Sequence, residues 1–250
     1  MERYRRLIVP GLAALVAFAI LISLGFWQVQ RLQWKEALIA SVNARLDAPP
    51  VPAPGPGAWP DLEDAGLEYQ PVTVTGHFLH PKEAHVFTTL NSPKGTFGGM
   101  GYFVMTPLET PEGWLVYVNR GFVPEDRKYA STRPAGQLDG EVTVTGLFRA
   151  ARGPSWITPS DDAAKNVWFS RDPALFAEAG GLPPIRVAPY TIDARSDPDL
   201  PGGLPQGGET LVEFPNNHLG YAITWFGLAA GLAGVFLVFA RSRLRQTPPA

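Results

Sequence analysis

Two long apolar runs near the ends of the chain constrain its fold more than any other feature. Leu7 to Val29 and Leu219 to Ala240 contain no formally charged side chain. Each run is about 20 residues long, the length with which a helix spans the hydrocarbon core of a bilayer. The sequence therefore predicts two transmembrane helices, 7–29 and 219–240, separated by a polar segment long enough to form a domain.

The first run was compared with a signal peptide, because basic residues precede it. A signal core is usually about 7–15 residues long and ends at small residues, whereas this run is longer and continues into FWQVQRLQWK. Six residues precede the run, which is too few for a mitochondrial transit peptide. We therefore expect an uncleaved span in a bacterial inner membrane.

The orientation follows from the cations at the two ends of the chain, which are Arg3, Arg5, Arg6, Arg241, Arg243 and Arg245. The positive-inside rule predicts that segments 1–6 and 241–250 are cytoplasmic and that the intervening domain is periplasmic. Arg31 and Lys35 oppose this orientation weakly, since they flank a long translocated domain.

Between the spans, the sequence predicts three segments. Trp27, Arg31, Trp34 and Leu38 recur at helical spacing, so the first helix is expected to continue through 30–47. The proline-rich stretch 48–60 cannot maintain helical hydrogen bonds and predicts a stiff polyproline II linker. The remaining segment, 61–218, is the periplasmic domain.

In that domain the apolar period changes to two, which indicates strands. The six expected strands are Gln70–Phe78, Ala84–Thr89, Tyr102–Leu108, Trp114–Asn119, Glu141–Phe148 and Arg186–Ile192. VTVTGHF at 72–78 and VTVTGLF at 142–148 predict equivalent positions in two halves of one sheet or barrel. One helix is expected at Pro173–Ala179, with Asp172 as its N-cap. The fold class is an α+β membrane protein, with two transmembrane helices flanking a β-dominated, sheet- or barrel-like domain with a minor helix.

Composition excludes several functions. The chain has no cysteine, which excludes thiolate catalysis, CxxC redox chemistry and disulfides. Its 21 basic and 23 acidic residues offer no basic face for nucleic acid. We find no nucleophile elbow, phosphate loop or HExxH motif, so an enzyme is not expected.

Three neighbouring histidines and two methionines could form a soft metal site; they are His77, His80, His85, Met100 and Met105. Their spacing matches no closed ligand set, so solvated turn histidines are the preferred interpretation.

The second span has two faces. Gly220, Gly227, Gly231 and Gly234 share one side, which predicts close packing on the first span. The opposite side carries His218, Tyr221, Trp225 and Leu232 and is expected to face a ligand or partner. The alternative interpretation is that Tyr221 and Trp225 form an interfacial aromatic belt and that His218 is a hydrated loop residue.

His218 could be an axial haem ligand, since imidazole commonly ligates haem iron. Arg31 and Lys35, expected at the same membrane level, could pair with the propionates. Their alternative role is to anchor the helix by reaching the interface.

Three motifs resemble those of the Surfeit locus protein one family. GFWQVQRLQWK, beginning at Gly25, is similar to GxWQxxRxxWK and includes Trp27, Gln28, Trp34 and Lys35. VNRGFVP, beginning at Val118, is similar to VNRGWVP, with Phe122 in place of tryptophan. NNHLGYAITWF, beginning at Asn216, is similar to NNHLxYAxTWF.

The resemblance implies an assembly factor for cytochrome c oxidase that binds haem a transiently and supplies it to the catalytic subunit. It implicates His218, and we place Tyr221 and Trp225 over the ring and Arg31 near the propionates. Haem A synthase is a further candidate partner besides the oxidase subunit and the lipid membrane. Trp34 and Lys35 could instead contact the oxidase.

Asn119 and Arg120 in the second motif are expected to be structural, with Gly121 supplying an unusual backbone angle and Arg120 pairing with a carboxylate. Two other functions stay open: an oxidase-assembly scaffold that holds no haem, and a membrane-anchored ligand sensor.

Overall fold

The computed structural model describes residues 2–62, 65–156, 158–210 and 216–245. The chain forms two compact units, one comprising 1–41 and 213–250 and the other comprising 42–212. Residue 1 of the expected segment 1–6 and residues 246–250 of the segment 241–250 lie outside the described residues, as do 211–215, which precede the second helix.

The first unit contains two long helices. Helix α1 extends from Glu2 to Leu46 and helix α3 from His218 to Arg245. Both are long and apolar enough to cross a membrane, so the two expected spans are confirmed as helices. α1 continues without interruption beyond the apolar run, which is the extension that the Trp27-to-Leu38 pattern predicts.

The second unit is dominated by seven strands, which are β1 (Val51–Pro52), β2 (Pro71–Phe78), β3 (Ala84–Leu90), β4 (Gly99–Glu109), β5 (Leu115–Pro124), β6 (Glu141–Ala150) and β7 (Val187–Ala194). Their order is β1-β2-β6-β7-β5-β4-β3, and an additional pairing of β2 with β4 closes five of them into a barrel. β5 and β7 are parallel, whereas their other neighbours within the barrel are antiparallel. The β-dominated expectation is confirmed, and each of the six expected strands is present.

The two VTVTG repeats form adjacent antiparallel strands related by a local two-fold axis. Val72 pairs with Gly146, and Gly76 pairs with Val142. A Cβ at Gly76 would overlap the carbonyl oxygen of Glu109 in β4, and one at Gly146 would overlap that of Asp193 in β7. Each repeat therefore needs its glycine because a neighbouring strand crosses directly against it.

β5 is buried on both faces because two cores meet at it. Val116 and Val118 pack inside the barrel, whereas Leu115 and Tyr117 pack against helix α2 (Pro173–Gly180). Asp172 caps α2 by accepting a hydrogen bond from the Ala174 amide, as expected, and the left-handed residue that ends the helix is Gly181.

The proline-rich stretch 48–60 lies against the barrel. Val51 and Pro52 form β1 beside β2, and a 3₁₀ turn covers Pro56–Asp61. Trp59 packs edge-on against Trp114, and the hydroxyl of Tyr190 donates to the carbonyl of Pro54 at 2.7 Å. The stretch is therefore a packed part of the domain as well as a connection, because its few free backbone groups and its tryptophan find partners there.

We predict that Gly76→Ala and Gly146→Ala each lower the free energy of unfolding, because the added methyl group overlaps a backbone carbonyl that cannot move without disturbing the barrel. The expected loss is about 1–3 kcal/mol, measured by thermal unfolding of the detergent-solubilised protein. Gly57→Ala is the control, since nothing lies within 4 Å of its added Cβ. Equal stability of all three variants would contradict the assigned strand crossings.

Candidate functional site

The two long helices pack through the face that carries His218. Ala222 and Ala229 of α3 are buried, and Gly25 of α1 lies so close to Phe226 that a Cβ there would overlap the ring. Phe26 adds an edge-to-face contact with Phe226 at 5.5 Å between ring centroids. Small residues on both helices thus permit the close approach.

The expectation that the glycine side of the second span packs on the first span is wrong. Nothing lies within 4 Å of a Cβ built at Gly220, Gly227, Gly231 or Gly234. These glycines lie on the side of α3 opposite the contact. The side of α3 that meets α1 carries Ala222, Phe226 and Ala229. The glycine side is therefore the open one.

The contact brings His218 and Gln28 together from opposite ends of the chain. Nδ1 of His218 lies 2.7 Å from Oε1 of Gln28. Gln28 is buried on α1, and His218, at the first position of α3, is half-buried. The hydrogen bond thus joins the beginning of the second predicted span to the C-terminal end of the first.

This hydrogen bond fixes the tautomer of the imidazole. The amide oxygen of Gln28 only accepts, so Nδ1 must carry the proton and donate it. Nε2 of a neutral His218 then has its lone pair free, and we find no hydrogen bond to Nε2 among the described residues. A histidine that ligates a metal commonly has this arrangement, with one nitrogen oriented by a partner and the other available.

The aromatic residues of α3 follow His218 along the helix. Tyr221, one turn after His218, is exposed, and Trp225, two turns after it, is half-buried. The structure therefore places both residues on the side of α3 that carries His218, as the sequence predicts.

Arg31 lies one turn after Gln28 on α1 and is exposed. Its guanidinium stacks on the ring of Trp34 at 4.2 Å, and both Trp34 and Trp27 are about half-exposed. Lys35, on the following turn, is half-buried. Gln28 is thus the residue of the first motif that contacts His218, and Arg31 follows Gln28 by one turn, whereas Trp27 and Trp34 are about half-exposed.

Asn119 of the second motif belongs to a buried network around Asp193. Its side-chain amide donates to Oδ1 of Asp193 at 2.9 Å, and its oxygen accepts from the amide of Gly121 at 3.1 Å. Arg149 at 2.9 Å, Arg171, and the Thr210 hydroxyl at 3.0 Å complete the contacts of the Asp193 carboxylate. Asn119 is structural, as expected.

Gly121 has a positive φ of 133°, which confirms the unusual backbone angle. A Cβ at this position would overlap the backbone of Gln206, whose segment pairs with Phe122. The expected carboxylate partner of Arg120 is absent from the described residues. Its guanidinium instead donates to the carbonyl of Gly136 and lies over the Phe78 ring at 4.7 Å.

The electrostatics of Asp193 favour its charged form. Burial alone would raise the pKa of this carboxyl, but the guanidinium groups of Arg171 and Arg149 and the hydrogen bond from Asn119 lower it below its usual range. Sequence reasoning missed Asp193, because an aspartate at the end of a strand looks like a solvent-facing residue.

The cluster of histidines is dispersed. His77 is exposed, whereas His80 lies 2.9 Å from the carbonyl of Leu138. His85 is buried in β3 beside Glu83, so it is not the solvated turn residue that was expected. No group of three metal-binding side chains of His, Cys, Asp or Glu occurs within the described ranges.

The fold and this arrangement together define a class: a small β-barrel domain carried between two helices of membrane-spanning length, with a paired histidine and glutamine where those helices meet. The family model of the SURF1 family matches residues 15–230. The chain belongs to the SURF1 family.

Relatives named Surfeit locus protein 1 are found in several animals. Surfeit locus protein 1 of Homo sapiens is 39% identical over 236 residues, which are 90% of this chain and 74% of the relative. Surfeit locus protein 1 of Rattus norvegicus is 37% identical over 235 residues, covering 90% and 72%. A SURF1-like protein of Monosiga brevicollis is 36% identical over 238 residues, covering 90% and 87%.

We predict that Asp193→Asn destabilises the domain by about 3–5 kcal/mol, because it leaves buried guanidinium groups without their shared carboxylate. The native pKa of Asp193 lies below its unfolded value, so its contribution is present above the unfolded pKa of about 3.9 and is lost as the pH falls through the native value. Thermal unfolding of wild type and Asp193→Asn, measured from neutral pH down through the native pKa, gives both the loss of stability and its dependence on pH.

The control is Asp126→Asn, because the Asp126 side chain is exposed and pairs with the exposed Arg127 at 3.5 Å. The control is expected to change stability little at any pH. If the Asp193→Asn and Asp126→Asn variants unfolded alike, the Asp193 network would not contribute the predicted stability.

Proposed function

We propose that this protein is an assembly factor for haem-copper cytochrome c oxidase, which binds haem a and assists its delivery to the catalytic subunit. The observation that carries the proposal is the oriented His218, whose Nδ1 is held by buried Gln28 while Nε2 is available. Membership of the SURF1 family supports it through the motif resemblance, and no catalytic step is required of the chain.

Haem a, when bound, would supply an iron that accepts an imidazole nitrogen and propionates that accept cationic partners. His218 is the proposed ligand, and Gln28 holds its imidazole in one orientation with the proton on Nδ1. Attachment through His218 alone would suit delivery, because a single bond to the imidazole can be exchanged.

Arg31 is the proposed partner of the propionates. It is exposed, and its stacking on Trp34 holds the guanidinium without consuming its hydrogen-bond donors. Tyr221 and Trp225 are proposed to cover the ring, since they follow His218 by one and two turns. Exposed Trp27 and Trp34 offer flat aromatic surfaces to the oxidase subunit.

We further propose that the protein resides in a bacterial inner membrane with both termini in the cytoplasm and the barrel domain in the periplasm. The terminal arginines support this orientation, because Lys and Arg in short segments beside a span are retained on the cytoplasmic side. His218 would then lie at the outer surface of the membrane, and haem A synthase is a candidate donor in that membrane.

The first test co-expresses the protein with the enzymes of haem A synthesis and compares visible spectra after purification in detergent. Wild type is expected to carry haem a, and His218→Ala is expected to lose most of it. His77→Ala is the matched control, since His77 is an exposed histidine of the barrel. A colourless wild type from membranes that contain haem A would refute haem binding and favour the scaffold without haem.

Gln28 provides a second test, because it acts through His218. Gln28→Ala is expected to weaken haem retention by about 10–100-fold, the usual effect of removing a partner that orients a metal ligand. Gln28→Glu, which also accepts from Nδ1, should retain haem and shift the spectrum. Gln30→Ala, an exposed glutamine on the same helix, is the control. Equal haem retention in the Gln28→Ala and Gln30→Ala variants would show that the hydrogen bond has no role.

The orientation can be tested directly because the chain contains no cysteine. Ala164→Cys in the barrel domain is expected to react with a membrane-impermeant maleimide in intact spheroplasts, whereas Ser242→Cys near the end of α3 should react only after lysis. Both positions are exposed, so a difference in labelling reports the side of the membrane. The reverse pattern would overturn the proposed topology.

A further inference from the structure

A second feature of the chain, separate from the paired His218 and Gln28, is a cavity at one mouth of the barrel. The cavity has a volume of about 260 Å³ and lies where β2 and β7 end and β6 begins. Most of its wall is apolar, including Phe78, Val118, Leu138, Val142, Leu200 and Pro205. Barrel mouths of this kind are common ligand sites.

A charged side chain occupies the wall of this cavity. Val116, Val118 and Arg120 alternate along β5 and so share the face that lines the barrel interior. Arg120 is only 6% exposed, although an aliphatic residue would continue the pattern of this face. Burying a guanidinium costs stability unless its charge and donors are satisfied, so the position calls for a compensating partner.

The described residues compensate Arg120 only in part. One terminal nitrogen donates to the carbonyl of Gly136, and the Phe78 ring lies against the guanidinium. Nη1, which is buried, has no hydrogen-bond partner among the described residues. The Phe78 ring therefore covers one face of the guanidinium and the Gly136 carbonyl binds one terminal nitrogen, while Nη1 has no partner.

The nearby charges leave an excess of positive charge. Glu83 acts on Arg120 through space, but its Oε1 pairs with Arg133 at 2.6 Å and with His85 at 3.1 Å. Burial, together with the like charge of Arg133, lowers the pKa of Arg120 to about 10. Two buried guanidinium groups thus share a single carboxylate, which is one anion too few.

At the rim, Arg195 and Asp197 have opposite charges and are both exposed, so neither sets the sign of the interior. Arg195 donates to the carbonyl of Leu46 at 3.3 Å, and Asp197 accepts from the amide of Asp199 at 3.0 Å. The guanidinium of Arg120 is therefore a buried positive charge in the wall of the cavity, and no carboxylate among the described residues forms a salt bridge with it.

We infer that this cavity binds a small organic carboxylate with an apolar body, whose carboxylate pairs with the Arg120 guanidinium and whose body fills the apolar wall. A carboxylate hydrogen-bonds strongly to a buried guanidinium, and the apolar lining suits an organic acid better than a fully hydrated inorganic anion. The volume admits a small ligand and is much smaller than a porphyrin requires.

The test uses sodium hexanoate as the probe and the cysteine-free chain as a reporter. Ser196→Cys, exposed at the rim of the cavity, is alkylated with N-ethylmaleimide in the full-length protein in neutral detergent. Hexanoate is expected to slow alkylation. Hexanamide, its uncharged analogue, should need at least about tenfold more for the same protection, equivalent to about 1.4 kcal/mol. Ala164→Cys, away from the cavity, should react at one rate throughout.

Arg120→Gln in the Ser196→Cys background is expected to abolish the preference for hexanoate over hexanamide while thermal unfolding shows the variant to be folded. If that variant does not fold, the comparison of the two ligands with Arg120 present still decides the question. Equal protection by hexanoate and hexanamide, absence of protection, or equal protection by inorganic phosphate would each overturn the carboxylate site.

Discussion

The buried carboxylate of Asp193 is the interaction on which the barrel domain depends. It joins Asn119 of β5 to Arg149 of β6, and it also takes Arg171 and Thr210 from the segments on either side of β7. A charge so deeply buried is stable only because every contact is a hydrogen bond or an ion pair. The same network orients Asn119, which in turn holds the amide of Gly121 and shapes the end of β5, where Arg120 turns into the barrel mouth.

Much of the fold could be predicted from the sequence because the signals are local. Alternating β-branched residues predicted six of the strands, and two long uncharged runs predicted the helices α1 and α3. β1 could not be predicted, since two residues in a proline-rich stretch have no periodicity. The order of the strands could not be predicted either, because β5 pairs in parallel with β7 across a long intervening segment, and nothing in the local sequence encodes that partnership.

The candidate site was predicted in its residues but not in its contacts. The motifs drew attention to both His218 and Gln28, yet their hydrogen bond depends on how two distant helices face each other. The four glycines of α3 led to the wrong packing face. A stripe of small residues shows where another helix can approach closely, but it does not show that the first span packs there. Arg120 was expected to pair with a carboxylate, and it was impossible to foresee that Glu83 is already engaged by Arg133.

The position of β7 also determines when the domain can fold. β7 is hydrogen-bonded between β5 and β6, so the barrel has no closed form until almost the whole domain has been synthesised. The unpaired edges of β5 and β6 stay exposed during that interval, which is when such strands are prone to aggregate. α3 follows soon after β7 in the chain, so its synthesis ends shortly after the barrel can close. A substitution that delays closure would leave the edges of β5 and β6 exposed for longer.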